Sequence, residues 1–225
     1  MTHTWALVPL HNPERAKTRL GPVLDPAFRR MLMLAMAEDV LSALTASKGI
    51  ERILLVSNEP EAGSLLSAWP LEVFYSSDNE GLNRELEHAA AYAATRGAER
   101  VLIVHADLPW LRPDALDHFI AGCPSGAVCA AGCKLGSGTN ALLVPLPLPL
   151  PLVFGKNSLQ GFRDGAMTAG LELHVAEDPH LSLDIDSPED FKRLFGAPNA
   201  GQLPGASTRR ALEHMRADCR DERTA

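Results

Sequence analysis

Apolar positions along this chain fall into short unbroken runs separated by stretches with helical spacing. "WALVPL" (5–10), "RILLVS" (52–57) and "RVLIVHADLP" (100–109) are continuous runs of strand length. Such runs predict parallel strands covered on both faces. "LEVFYS" (71–76) predicts a further strand. Between these runs lie helical patterns. Asp25 and Pro26 supply an N-cap and a first-turn proline ahead of "AFRRMLMLAMAEDVLSALTAS". A helix start follows Pro60, "NRELEHAAAYAATR" (83–96) is helical up to Gly97, and "RPDALDHFIAG" (112–122) is another helix. Farther on, "AVCAAG", "NALLVP", "LELHVAE" and "LSLDI" predict strands. "SLQGFRDGAMTAG" (158–170) predicts a helix weakened by two glycines. "SPEDFKRLFG" (187–196) predicts a strong one, with Ser187 as cap, Pro188 next and Gly196 as stop.

Strands alternating with helices predict an α/β fold with a mostly parallel sheet flanked by helices. Residues 1–197 read as one domain, and 198–225 as a Gly/Pro-rich linker with a C-terminal tail. Within that tail "STRRALEHMRADCRDER" reads as a loosely docked helix. The prolines of "VPLPLPLPLVF" (144–154) exclude a helix or a central strand there. An extended connection or edge is expected, a polyproline recognition ligand being the other reading.

Composition narrows the picture. The chain has 225 residues, 46% hydrophobic and 22% charged, which suits a single globular domain. It shows neither an eighteen-residue apolar run nor a basic segment leading into an apolar one. No membrane association is expected, and the cytoplasm is the expected setting. Cys123, Cys129, Cys133 and Cys219 read as small core or surface residues in reducing surroundings, not as metal ligands. The net charge of -7 argues against non-specific nucleic-acid binding. Any anion site must therefore be local.

One such site is suggested after the first strand, where Arg15, Lys17 and Arg19 stand at every second position. A solvated loop is one reading. Polyphosphate is the other, since arginine grips oxygens bidentately and lysine adds a point charge. The run contains no P-loop motif. Asp107 follows the clearest strand, as a turn residue or as a metal ligand at the carboxyl edge of the sheet. Asp184 and Asp186 are two apart in a predicted strand, so their carboxylates should share a face and repel unless a cation intervenes. With Asp107 they would form an all-oxygen site suited to Mg2+. Three glycine-bearing turns resemble anion or nucleoside cradles: Gly81 with Asn83, Gly136 to Thr139, and Gly155 to Ser158. Plain turns and caps explain each of them equally.

In order, "VPLHNPERAKTRL", "GLN", "ADLP", "GTNALL", "FGKNS" and "DIDSPEDF" resemble the 2-phospholactate guanylyltransferases, the CofC/FbiD family of coenzyme F(420) biosynthesis. The resemblance spans roughly residues 5–195. It implies a nucleotidyltransferase fold of the GT-A type. It implies metal-binding roles for Asp107, Asp184 and Asp186, and acceptor contacts from Thr139, Gly155 and Ser158. Lys17 and Arg19, with Arg15, become the phosphate-loop cations that act in catalysis. Gly81, Asn83 and Asp107 fall on the nucleotide side. The substrates implied are GTP and a small phosphorylated carboxylic acid: 2-phospholactate, phosphoenolpyruvate or 3-phosphoglycerate. Mg2+ is the implied cofactor, and a homodimer is left open. The chain departs from the family pattern at His11, where Lys is frequent, and at Lys156 and Asn157, where Pro-Gly is frequent. It departs again at Phe162, where a histidine is often found nearby. Rival readings are a nucleotidyltransferase acting on the molybdenum cofactor or a sugar phosphate, a GT-A glycosyltransferase, and a silent nucleotide-binding protein.

Overall fold

Each strand run feeds two cores at once. The computed structural model describes residues 3–10, 17–76, 81–134, 136–196 and 203–221. In β1 (Thr4–Pro9), Ala6 and Val8 enter one core while Trp5 and Leu7 enter the other. β2 (Arg52–Ser57) and β4 (Arg100–Val104) divide their apolar residues in the same way. Successive side chains point to opposite faces, so a sheet covered on both sides has no polar alternation. β3 (Glu72–Tyr75), β5 (Val128–Gly132), β6 (Thr139–Pro145) and β7 (Leu173–Ala176) complete a seven-stranded sheet of order β3-β2-β1-β4-β6-β5-β7. β6 alone runs antiparallel to its neighbours; every other pairing is parallel.

α1 (Pro26–Ala46) starts where predicted, with the Asp25 side chain accepting from Phe28 N at 3.0 Å. It carries apolar residues all round because it is covered on both sides. Met33, Val40 and Leu44 face the sheet, while Leu32 and Met36 face a third core. That outer core is built from α7 (Pro188–Phe195) and α8 (Ala206–Asp221). α4 (Pro113–Gly122) packs beside α1, and α3 (Leu82–Thr95) and α5 (Ser158–Thr168) cover the opposite face of the sheet.

Two expectations need correction, and one helix is present but short. "LSLDI" is not a strand. Pro179–Ser182 forms a helical turn, α6, begun by Asp178, whose carboxylate accepts from His180 N at 2.7 Å. Residues 183–186 then run irregularly, so strand geometry does not set the positions of Asp184 and Asp186. The helix after Pro60 amounts to one turn, α2 (Ala62–Leu65). Cys123 and Cys129 are joined in a disulfide, their Cα atoms 5.9 Å apart. The turn that closes between Pro124 and Ala127 folds the start of β5 back against the end of α4 and brings the two thiols together.

The Leu-Pro segment runs along α3 without regular structure and buries Leu150, Leu152 and Phe154. Two of its N–H groups are taken up by side chains of that helix. Glu87 Oε1 accepts from Leu152 N at 3.1 Å. The Asn83 carboxamide accepts from Phe154 N at 2.7 Å and donates to Phe154 O at 3.0 Å.

α8 is held by a carboxylate from another helix. Buried Asp39, on α1, accepts from Ser207 N and Thr208 N, both at 2.9 Å. A Cβ on Gly205 would come within 2.1 Å of that side chain, so only glycine fits. Asp39→Ala leaves two donors at the start of α8 unsatisfied, that of Thr208 buried, and should lower stability by about 1–3 kcal/mol in urea unfolding. Proteolysis between α7 and α8 should quicken in parallel.

Candidate active site

The carboxyl ends of β1 and β4 lie side by side, and the chain that leaves each one carries chemistry. After β1 comes Lys17, which opens a short 3₁₀ turn, Thr18–Leu20. Its backbone is left-handed, at φ 54°, a conformation that costs a non-glycine residue about 1–2 kcal/mol. Leu20 anchors that turn in the outer core. After β4 comes Asp107. Ile185 N donates to Asp107 O at 3.3 Å, which ties the 183–187 segment to the end of β4. Buried Ile185 plugs into the outer core and leaves its neighbours Asp184 and Asp186 at the sheet edge. Asp186 is steadied from behind: its N donates to Asp190 Oδ2 at 3.2 Å, and Asp190 forms a capping box with Ser187.

Lys17 joins these pieces. Its ammonium donates to Asp107 Oδ2 and, at 2.6 Å, to Asp186 Oδ1. Burial alone would depress the lysine pKa, but the two carboxylates overcome it and hold the ammonium above its ordinary value. Burial likewise works against the Asp107 carboxylate, and Lys17 nonetheless keeps it below the usual carboxylate range. Asp184 behaves differently. Burial, then the charges of Asp107 and Asp186, push it from 3.8 to about 6. Its neighbour Asn140 donates to Asp184 Oδ1 at 3.4 Å and to Leu181 O at 3.0 Å.

Among the described residues no three His, Cys, Asp or Glu side chains stand ready as a metal cluster. The donor chemistry nevertheless fits a hard divalent cation. Every donor is a carboxylate oxygen, and Asp107 Oδ1 is buried without a hydrogen-bond partner.

A cavity of about 160 Å³ adjoins the cluster, bounded by Leu10, Met33, Leu82, His105 and Asp107 among others. The sequence reading missed His105 as part of the site. Its Nε2 is buried without a partner, its ring lies 5.3 Å from Phe154, and burial depresses its pKa, so the imidazole is neutral. Its place two residues before Asp107, at the end of a strand, was the available signal.

The residues expected on the acceptor side gather across β6. Ser158 Oγ donates to Thr139 Oγ1 at 3.0 Å, and both side chains are buried. Gly155, at φ 133°, has nothing within 4 Å of where a Cβ would stand. Asn157 takes φ 59°, a left-handed position that asparagine tolerates nearly as glycine does, so this departure from Pro-Gly keeps the same backbone option open. Lys156 is exposed, and Phe162 is core, edge-on to Phe154 at 5.0 Å. Gly81, at φ 91°, opens α3. Asn83, read as a nucleotide contact, uses its carboxamide on Phe154. Arg19 is exposed in the turn beside Lys17. Arg15 and His11 lie outside the described residues.

A carboxylate-rich edge beside a basic turn, on this sheet order, defines a nucleotidyltransferase. The architecture is similar to that of a crystal structure described as a nucleotide-diphospho-sugar transferase from Desulfovibrio desulfuricans, with TM-score 0.78, 98% of each chain covered and 20% identity. The chain belongs to the guanylyl transferase CofC-like family, whose model matches residues 4–224. It is 33% identical over 205 residues to a phosphoenolpyruvate guanylyltransferase of Sphaerobacter thermophilus, covering 88% of this chain and 95% of the relative. It is 30% identical over 192 residues to a 2-phospho-L-lactate guanylyltransferase of Methanothermobacter thermautotrophicus, covering 85% and 84%.

The raised Asp184 pKa has a stability consequence. The folded chain holds that proton more tightly than the unfolded chain. The associated stability is present at pH 4 and is lost as pH rises through about 6. In EDTA, Asp184→Asn should match wild type near pH 4 and exceed it near pH 8 by on the order of 1 kcal/mol, allowing for solvent screening. Urea midpoints across that range check the sign.

Proposed function

We propose that this protein transfers GMP from GTP to the phosphate of a small phospho-acid, releasing pyrophosphate, on the route to coenzyme F(420). The observation that carries the reading is the meeting of Lys17, Asp107 and Asp186 at the carboxyl edge of the sheet, within a chain matched by the CofC-like model over residues 4–224. Phosphoenolpyruvate is the first acceptor to test, because relatives bearing that name are 32–37% identical to this chain.

Lys17 and Arg19 present positive charge to the triphosphate, a point charge and a planar fork respectively. The acceptor's phosphate oxygen attacks the α-phosphorus in line. One P–O bond forms, the bond from the α-phosphorus to the bridging oxygen breaks, and pyrophosphate leaves with that electron pair. No protein nucleophile is needed, so placement and charge do the catalytic work. Asp107, Asp184 and Asp186 would hold Mg2+, which when bound neutralises phosphate charge. Thr139 and Ser158 offer hydroxyls to the acceptor, and Gly155 lets the backbone approach it. The neutral ring of His105 and the apolar walls around it keep water from one side of the cluster.

The deciding experiment is pyrophosphate release from GTP with phosphoenolpyruvate, 2-phospholactate, 3-phosphoglycerate and glucose 1-phosphate. Turnover with a three-carbon phospho-acid is expected. Turnover with the sugar phosphate alone would replace this reading with sugar-nucleotide synthesis. Ser158→Ala should raise KM for the acid and leave the KM for GTP nearly unchanged, since it removes the acceptor-side hydroxyl together with its buried hydrogen bond to Thr139. Asp186→Asn should lower kcat on the order of a hundredfold while the circular dichroism spectrum stays that of wild type.

A further inference from the structure

We propose that Lys17 is a resident cation that occupies the divalent-metal position in the ligand-free protein and yields it when a nucleotide arrives. The inference rests on the nucleotidyltransfer reading and concerns the order of events in that same site.

The Lys17 side chain is only 11% exposed, and its ammonium lies in contact with Asp107 and Asp186. Those oxygens are the donors a divalent ion would need. An ammonium has three donors and no acceptor, so it can satisfy carboxylates but cannot share them with a second cation in contact. Its hold is incomplete. One positive charge faces three carboxylates, Asp107 Oδ1 remains buried and unpartnered, and no cation contacts Asp184 among the described residues. A divalent ion would match the three acids better, once Lys17 had somewhere else to place its charge. A triphosphate, with about four negative charges, supplies that place. The move needs no rearrangement of the fold. The Lys17 backbone is pinned by the turn that Leu20 anchors, and the flexible four-carbon stem can swing the ammonium from carboxylate to phosphate. Metal binding without nucleotide must displace a buried lysine; metal binding with nucleotide need not.

The test measures metal binding directly. Mn2+ is titrated into metal-free wild type, Lys17→Met and Arg19→Met, with the free-Mn2+ electron paramagnetic resonance signal as readout. Each titration is run with and without a guanosine triphosphate analogue carrying a methylene group between its α- and β-phosphorus. Wild type should bind Mn2+ weakly alone and at least tenfold more tightly with the analogue. Lys17→Met should bind Mn2+ at least tenfold more tightly than wild type without the analogue. Arg19→Met, which removes the same charge nearby without vacating the carboxylates, should stay within about twofold of wild type in the titration without the analogue. An unchanged Mn2+ affinity in Lys17→Met overturns the proposal. So does an equal gain in Arg19→Met, which would reduce the effect to net charge. Lys17→Gln replaces Lys17→Met if the latter fails to fold. Pyrophosphate release by wild type is scored separately. Guanylyl transfer with unchanged Mn2+ affinity sinks this inference alone, whereas no transfer with any acceptor sinks the functional reading and leaves the metal competition decided on its own data.

Discussion

The ammonium of Lys17 lies between carboxylates 90 and 169 residues away in the chain, and the candidate active site depends on that contact. Two carboxylates at a half-buried edge repel one another, and each would otherwise be costly to keep ionised there. The lysine neutralises part of that charge and brings the exits of β1 and β4 and the approach to α7 to one point. Asp184 shows what the same edge does to a carboxylate that no cation contacts among the described residues: burial and the charges of Asp107 and Asp186 raise its pKa to about 6. Among the described residues the neighbourhood is therefore short of positive charge.

Support for the cluster comes from parts of the molecule with no chemistry of their own. Ile185 fixes the acidic segment by burying itself in the outer core, and Leu20 fixes the basic turn in the same core. Asp190 and Ser187 brace Asp186 through the start of α7. The outer core thus sets the spacing of charges at the sheet edge. α1 transmits that spacing to the main fold, since one of its sides lines the outer core and the other lies on the sheet.

Much of this was legible in the sequence because strands buried on two faces leave unbroken apolar runs, and because caps such as Asp25 and Ser187 mark where helices begin. The basic run and Asp107 were legible as candidates because each follows a strand, and Asp184 and Asp186 because they stand two apart in an apolar run. Other features depend on contacts that no local pattern encodes. "LSLDI" has strand composition, but Asp178 and Pro179 initiate a helical turn over it, and Asp184 and Asp186 owe their positions to Ile185. The disulfide requires the end of α4 and the start of β5 to fold back, which cysteine spacing alone does not show. Lys17 was expected to face phosphate; its pairing with two acids is a tertiary fact. Asn83 has the look of a nucleoside contact in "GLN", yet its partner lies 71 residues on in the Leu-Pro segment.

That last pairing has a mechanical consequence. By exchanging two hydrogen bonds with Phe154, the Asn83 carboxamide copies what a neighbouring strand would do, at a place where proline-rich backbone cannot form a ladder. It ties the first turn of α3 to the segment that leads into α5. The spacing of those two helix starts is thereby set by one side chain and two hydrogen bonds, of 2.7 and 3.0 Å, as a jig sets the gap between two parts.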